Sequence, residues 1–295
     1  MKKKLILISL NELNFDILKK YLAKYNLKNF KKIIDRIAET ESEKEYEKLE
    51  PWIQWPSVYT GLKADDHKIF RLGDITKFKG STFFNDLENL GFKIGAVSPM
   101  NMKNNFKNPL YFIPDPWTKT NPDKNFWTNL VSKTISKIVI KNSENKINIL
   151  DFTKLILIFF KFANVKNYFQ YVNYFFTSFF YKWRKALFLD LLLNDIHLSL
   201  IKKKNPHFSN IFFNGIAHIQ HHYFFNSSEV NQNKKIENPK WYVGNKKDPI
   251  KEAFFLYDNI LKSYIENRDY AIVIATGLTQ IPYDTIKFYY KIKNH

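Results

Sequence analysis

The sequence predicts an α/β fold with a mostly parallel central sheet and a helical insertion in the middle of the chain. Residues 5–10 form a short apolar run, which is typical of a strand buried on both faces of a parallel sheet. Similar runs follow at residues 93–98, 208–213 and 270–275, and helical patterns separate them. This alternation of strands and helices is the pattern of a parallel α/β sheet.

The first part of the core is predicted at residues 1–113. Its elements are a strand at 5–10, a helical region at 15–37, a charged stretch with a weak strand pattern at 39–49, a loop and short helix at 50–61, a second loop at 66–74, a helix at 81–91 and a strand at 93–98. Gly61 and Gly91 mark two of the helix ends, because glycine readily takes the backbone conformation that ends a helix.

The alternation of strands and helices stops in residues 114–205, which are predicted to be a helical insertion, or cap. Residues 147–200 are rich in apolar and aromatic side chains and indicate two or three helices. Residues 168–181 are aromatic almost all round, and the basic segment 182–185 follows directly. A surface that meets membrane lipid is one interpretation of this segment. A cap helix packed on both sides, the more common arrangement, is the other.

The second part of the core is predicted at residues 206–295. Its elements are a strand at 208–213, a helix that carries three histidines, a polar surface loop at 226–248, an amphipathic helix at 249–267 and a strand at 270–275. The two parts of the core together are expected to form one α/β unit around the insertion.

The composition is that of a globular chain of 295 residues with 45% hydrophobic residues and no cysteine. The lack of cysteine excludes disulfides and thiolate metal sites. The net charge of +18 favours anionic partners such as phosphate esters, acidic glycans or anionic lipids, although a lysine-rich solvated surface has the same charge. Nucleic acid is not an expected partner, because no basic and aromatic motif of a known binding module is present.

The N-terminal lysines and the apolar run after them resemble a signal peptide only briefly. The run is short, and no small-residue cleavage site follows it. The sequence also has no uncharged apolar stretch of about 20 residues, the length that a membrane span needs. We therefore expect a cytoplasmic protein. Peripheral binding to an anionic membrane surface is an additional prediction.

Polar residues follow three of the predicted strands, at the sheet edge where α/β proteins bind ligands. They are Asn11 and Glu12, Asn214 with His218, and residues 276–280 ending in Gln280. His218 and His222 are four positions apart, and His221 lies beside them, a spacing that suits a divalent metal. Hydrogen bonding of one or two of these histidines at a strand–helix junction is the alternative.

The loop and helix at residues 50–61 contain a second group of candidates. Trp52 and Trp55 flank Gln54, and they suit an aromatic wall for a sugar or a base unless they belong to the core. His67 follows in a loop rich in ionisable residues. A neutral site with asparagine, glutamine and tryptophan side chains would bind carbohydrate through hydrogen bonds and stacking.

Four segments carry a resemblance to a known family. They are LILISLNEL at the first strand, WPSVYTGLKADDHKIF after it, FFNGIAHIQHHYF in the second part of the core, and YAIVIATGL at the last strand. In this order they resemble the alkaline phosphatase superfamily, specifically the branch of type I phosphodiesterases and nucleotide pyrophosphatases. The resemblance implies a three-layer sandwich in which two divalent metals, commonly zinc, and a threonine or serine nucleophile act on phosphate esters.

The same resemblance puts other residues where the family has its metal ligands and nucleophile. Asn11 and Asn214 stand at two metal-binding aspartates, Trp52 at the nucleophile, and Thr276-Gly277 at an Asp-His pair. The final metal-binding histidine of the family would fall beyond His295. Because asparagine is a neutral ligand, two negative charges are lost from a dication site, and the usual two-metal centre is not expected.

The predicted function is hydrolysis or transfer on a phosphate or sulfate ester, in surface polysaccharide or phospholipid metabolism, with the usual ligands and nucleophile replaced. The candidate catalytic residues are Glu12, Ser57 and Thr60, and a single zinc or manganese ion would be bound by Glu12, His218 and His222. The candidate substrate-binding residues are Asn11, Trp52, Gln54, Trp55, His67, Asn214 and Gln280.

Two alternatives stay open. A catalytically inactive member of the superfamily would keep the pocket in order to bind a glycan or a sugar phosphate. A peripheral membrane or assembly protein would instead use residues 168–185 as its contact surface.

Overall fold

A single sheet of parallel strands organises the computed structural model, which describes residues 4–40, 43–142, 148–230, 238 and 247–282. In these residues the sheet has five strands in the order β3-β2-β4-β1-β5. They are β1 Lys4–Leu10, β2 Ile94–Val97, β3 Tyr111–Ile113, β4 Phe208–Phe213 and β5 Tyr270–Ala275. The predicted α/β class and parallel sheet are confirmed. Sequence reasoning missed β3, because so short a strand carries no periodic signal.

Helices connect the strands along the described parts of the chain. The α-helices are α1 Phe15–Lys24, α2 Lys28–Lys31, α3 Pro51–Thr60, α4 Ala64–His67, α5 Phe83–Asn89, α6 Phe126–Asn142, α7 Ile149–Phe162, α8 Tyr168–Thr177, α9 Arg184–Lys204, α10 Gly215–Tyr223 and α11 Pro249–Ile265. The weak strand predicted in residues 39–49 is wrong, since Tyr46–Lys48 form a 3-10 turn there. Most of the loop predicted at 226–248 lies outside the described residues.

The interior strand β1 is buried because helices cover both faces of the sheet. It pairs with β4 on one side and β5 on the other, with Ile8 opposite Ile211 and Ile274. Ile8 and Leu10 join one buried cluster and Leu7 joins a second, as the two-residue period of a strand requires. The first cluster includes side chains of α1, α9, α10 and α11, and the second includes side chains of α3 and α5.

The predicted insertion contains α6 to α9, and its last helix covers the sheet. His197 of α9 bonds to the Ser209 hydroxyl of β4 at 2.7 Å and to the Tyr264 hydroxyl of α11 at 2.8 Å. The Ser209 hydroxyl also bonds to Tyr111 at 2.6 Å. Burial lowers the pKa of His197 to about 3, so this ring is neutral at physiological pH. The boundaries at residues 114 and 205 stay predictions.

None of the helices in the described parts of the chain combines the length and the apolar character that crossing a bilayer requires.

Candidate functional site

The carboxyl ends of β1, β4 and β5 meet, as the sequence predicts for parallel strands. The backbone N–H of Asn11 donates to the Phe213 carbonyl, and that of Glu12 donates to the Thr276 carbonyl, each at 3.0 Å. A pocket of about 280 Å³ opens beside this junction. It is lined by Asn11, Glu12, Pro51, Trp52, Leu72, Met100, Trp117, Asn214, Ala217, His218 and His221.

Asn11 forms part of the pocket floor, and its amide group is already bonded on both sides. Its Nδ2 donates to Asn214 Oδ1 at 2.7 Å, and its Oδ1 accepts from Trp55 Nε1 at 2.7 Å. Trp55 is fully buried in the second cluster and packs directly under Gly277, where a Cβ would lie 2.8 Å from the indole. The structure therefore places Trp55 in the core, where its hydrogen bond holds the Asn11 side chain in position. Of the two tryptophans of α3, Trp52 is the one that lines the pocket.

Glu12 is a buried carboxylate in the left-handed backbone region, with a φ of 55° and 2% exposure. A non-glycine residue in this region is strained, and such residues are common at functional sites. Its Oε2 lies 3.0 Å from Nε2 of His221, whose Nδ1 accepts from Gln280 Nε2 at 2.5 Å. Because Nδ1 accepts, the neutral ring of His221 carries its proton on Nε2. Glu12 Oε2 is buried and makes no hydrogen bond within the described residues, so Glu12 and His221 meet as a close polar contact at the pocket.

A second carboxyl group, Glu50, faces the same region and was missed by sequence reasoning. Its pKa is raised, first by desolvation and then by the negative charge of Glu12, while His221 opposes the shift. Glu50 is the residue before Pro51, where α3 begins. In the sequence, Glu50 is marked only by the Glu-Pro step at the start of a helix. That step does not indicate that Glu50 lies close to Glu12.

His218 and His222 lie side by side on α10, with ring centroids 4.7 Å apart. The pKa of His218 is lowered by desolvation and by the neighbouring His222 and His221 rings, and the pKa of His222 is lowered for similar reasons. Both histidines lie at the exposed surface of α10, and the lowered pKa values favour the neutral form of each ring.

The donor groups at the pocket do not fit a divalent metal centre. No group of three or more histidine, aspartate or glutamate side chains suited to an ion occurs in the parts of the chain that the structure describes. Asn11 already bonds to Trp55 and Asn214, so a zinc or manganese ion would have to break these bonds to take Asn11 as a ligand. The buried Glu12 Oε2 makes no hydrogen bond within the described residues, but it belongs to no group of three such ligands there.

Seven sequence-predicted site residues lie outside the lining of the pocket, namely Gln54, Trp55, Ser57, Thr60, His67, His222 and Gln280. Ser57 Oγ is 2.9 Å from His67 Nε2, and His67 Nδ1 accepts from the Ile69 N–H at 3.0 Å. His67 Nε2 is therefore protonated and donates to Ser57, the reverse of a general base. The Thr60 hydroxyl donates to the Pro56 carbonyl at 2.7 Å, and the Gln54 amide to the Lys48 carbonyl at 2.9 Å.

Asn101 and Asp115 position both pocket tryptophans, and sequence reasoning missed this pair. Asn101 is fully buried, donates from Nδ2 to the Trp52 carbonyl at 2.7 Å, and accepts from the Gly73 N–H at 2.9 Å. Its own N–H donates to Asp115 Oδ2 at 2.8 Å, while Asp115 Oδ1 accepts from the Trp117 N–H at 2.8 Å. The pair thus links the two walls of the pocket, although the residues are distant in sequence.

The fold and the site together define an α/β protein with a small pocket at the carboxyl edge of a parallel sheet, the edge at which such folds commonly bind ligands. No protein-family model, curated protein or solved structure matches the chain. The resemblance to the alkaline phosphatase superfamily therefore stays a prediction.

Proposed function

We propose that this pocket binds one uncharged sugar unit of a glycan, and that the chain is a member of the alkaline phosphatase superfamily without the two-metal centre. The observation that carries the proposal is the pair of tryptophans held by Asn101 and Asp115 above a floor of amide groups. Indole rings stack on the apolar faces of sugar rings, and amides bond to their hydroxyl groups.

The polar floor supports a neutral ligand. The Oδ1 atom of Asn214 accepts the hydrogen bond from Asn11. The Nδ2 atom of the half-buried Asn214 therefore points away from Asn11. No lysine or arginine is among the lining residues, whereas the Glu12 carboxylate is. A phosphate or sulfate group would meet that negative charge without a cation to balance it. The volume of about 280 Å³ lies near the lower end of ligand pockets and suits a single sugar ring.

The test is a glycan array followed by titration of the strongest neutral ligand, with tryptophan fluorescence as the readout. We expect Trp52→Ala and Trp117→Ala each to weaken binding about tenfold or more, because each removes one stacking surface. Trp127→Ala is the matched control, since Trp127 lies on α6, packs against Phe162 and is not part of the pocket lining. Unchanged affinity in both pocket variants, or no glycan bound at all, would reject the proposal.

A phosphate or sulfate ester hydrolase is the second candidate, and one observation favours it. Glu50 and Glu12 are two carboxyl groups in one region, and desolvation and the nearby Glu12 charge raise the pKa of Glu50. Two neighbouring carboxyl groups in different environments are the arrangement from which enzymes build a general acid and a general base. Because the donors do not fit a metal centre, this chemistry would proceed through the side chains alone.

A further inference from the structure

Two neighbouring helices of the predicted insertion leave an apolar surface uncovered by the described residues. The most exposed aromatic side chains there are Phe160 on α7, Phe169 and Phe176 on α8, and Phe179 and Phe180 just after it, which are between 62% and 85% exposed. We call the exposed side chains of residues 149–180 the aromatic face. Its position explains why residues 168–181 are aromatic almost all round, since α8 has a packed side and an open side.

The aromatic face is continuous across the two helices. Phe152 of α7 and Phe175 of α8 are both partly open, and their ring centroids are 6.0 Å apart. Phe175 also lies 6.0 Å from Phe179. On the inner side, Phe159 packs edge-on against the buried Tyr171 at 5.1 Å. The inner contacts hold the helices together, and the Phe152–Phe175 contact joins them on the open side.

The area of the aromatic face is large for a protein surface. An aromatic side chain presents about 150–250 Å² when free, so the five most exposed phenylalanines alone offer on the order of 700 Å². The largest apolar patch of a typical soluble monomer is about 300–600 Å² and commonly marks an interaction site. A face of this size needs a partner that accepts phenyl rings.

The charges around the aromatic face identify that partner. All three carboxylates in residues 149–204, namely Asp151, Asp190 and Asp195, are at most 3% exposed. Lys154, Lys161, Lys166 and Lys182 are exposed around the rings. Within residues 149–204 the surface therefore combines phenyl rings with exposed positive charges, and the nearby Glu252 is paired with Arg184. This combination complements a layer of anionic headgroups above an acyl interior.

We propose that the aromatic face docks on the surface of an anionic lipid bilayer. The phenyl rings enter the boundary between headgroups and acyl chains, and the lysines contact the lipid phosphates and carboxylates. α7 and α8 lie in the plane of the interface and do not cross the bilayer. This inference is independent of the sugar pocket, because it uses other residues.

The test is sedimentation of the full chain with vesicles of phosphatidylcholine alone or with one third phosphatidylserine. We expect binding to the anionic vesicles that weakens as salt rises, because part of the attraction is electrostatic. The triple variant Phe169→Ser/Phe176→Ser/Phe179→Ser should lose affinity about tenfold or more, since three rings no longer leave water. The double variant Lys154→Glu/Lys166→Glu should lose binding to anionic vesicles while every ring remains.

Leu90→Ser is the matched control. Leu90 is 70% exposed just after α5, on the opposite face of the sheet, and its loss should leave vesicle binding unchanged. Failure of the wild-type chain to sediment with anionic vesicles at low salt would overturn the proposal, as would equal binding by the lysine variant. A stable dimer that the triple variant dissociates would assign the face to a second copy of the chain and would equally overturn it.

Discussion

Asn101 shows how one side chain organises the pocket. It has a left-handed backbone with a φ of 48°, which asparagine tolerates better than most residues. Its amide reaches the Trp52 carbonyl and the Gly73 N–H, so it ties α3 to the loop before α5. Nothing in the local sequence indicates these contacts, because they join segments that are far apart along the chain.

Asn101→Ala should therefore lower both stability and ligand affinity. The substitution removes the Asn101 partner of two partly buried backbone groups, the Trp52 carbonyl and the Gly73 N–H, which costs about 2 kcal/mol of unfolding free energy. We expect glycan affinity to fall as well, because Trp52 is no longer held. Chemical denaturation and the fluorescence titration measure the two effects.

Asn85→Ala is the control for this prediction. Asn85 accepts from Thr82 at the start of α5 and is also buried, so its loss should cost about 1 kcal/mol. Because Asn85 is not part of the pocket lining, its variant should keep full affinity. If Asn101→Ala were also to bind with wild-type affinity, Asn101 would be a structural residue only.

At the scale of elements, the start of α10 fixes the histidines and the Asn214 amide. The Gly215 N–H donates to Asp190 Oδ2 at 2.8 Å, and the Ile216 N–H donates to the Tyr257 hydroxyl at 2.9 Å. Burial raises the pKa of Asp190 to about 7 despite these bonds. Asp190 of α9 and Tyr257 of α11 thus hold the N-terminus of α10 in place.

Gly215→Ala is predicted to disturb this junction. A Cβ at this position would lie 2.5 Å from Asp190 Oδ2 and 3.0 Å from the Tyr257 hydroxyl. We expect a loss of about 1–3 kcal/mol in unfolding free energy and weaker glycan binding, since α10 must shift.

Gly91→Ala separates steric crowding from backbone strain. Gly91 has a φ of +81° and open space around its Cβ position, so its variant should cost about 1 kcal/mol through the backbone alone. Glycan binding should not change in that variant. Wild-type affinity in Gly215→Ala would contradict the role given to the start of α10.

At the scale of the whole molecule, the sequence predicted the location of the pocket better than its chemistry. Apolar runs that end in polar residues are local signals, so the meeting of Asn11, Asn214 and residues 276–280 was predictable. The core position of Trp55 and the approach of Glu50 to Glu12 depend on tertiary packing, which no single segment records. The exposure of one side of α8 could not be predicted for the same reason, because an aromatic helix has the same sequence pattern whether that side is covered or exposed.

The most direct test of the account is a calorimetric titration of the array-selected neutral glycan, run in EDTA and again with added zinc. We expect the same affinity in both buffers, because the ligand is bound by Trp52, Trp117 and the amide floor without a metal ion. Binding that appears only with zinc would contradict it, as would zinc-dependent hydrolysis of bis(4-nitrophenyl) phosphate that Glu12→Gln abolishes.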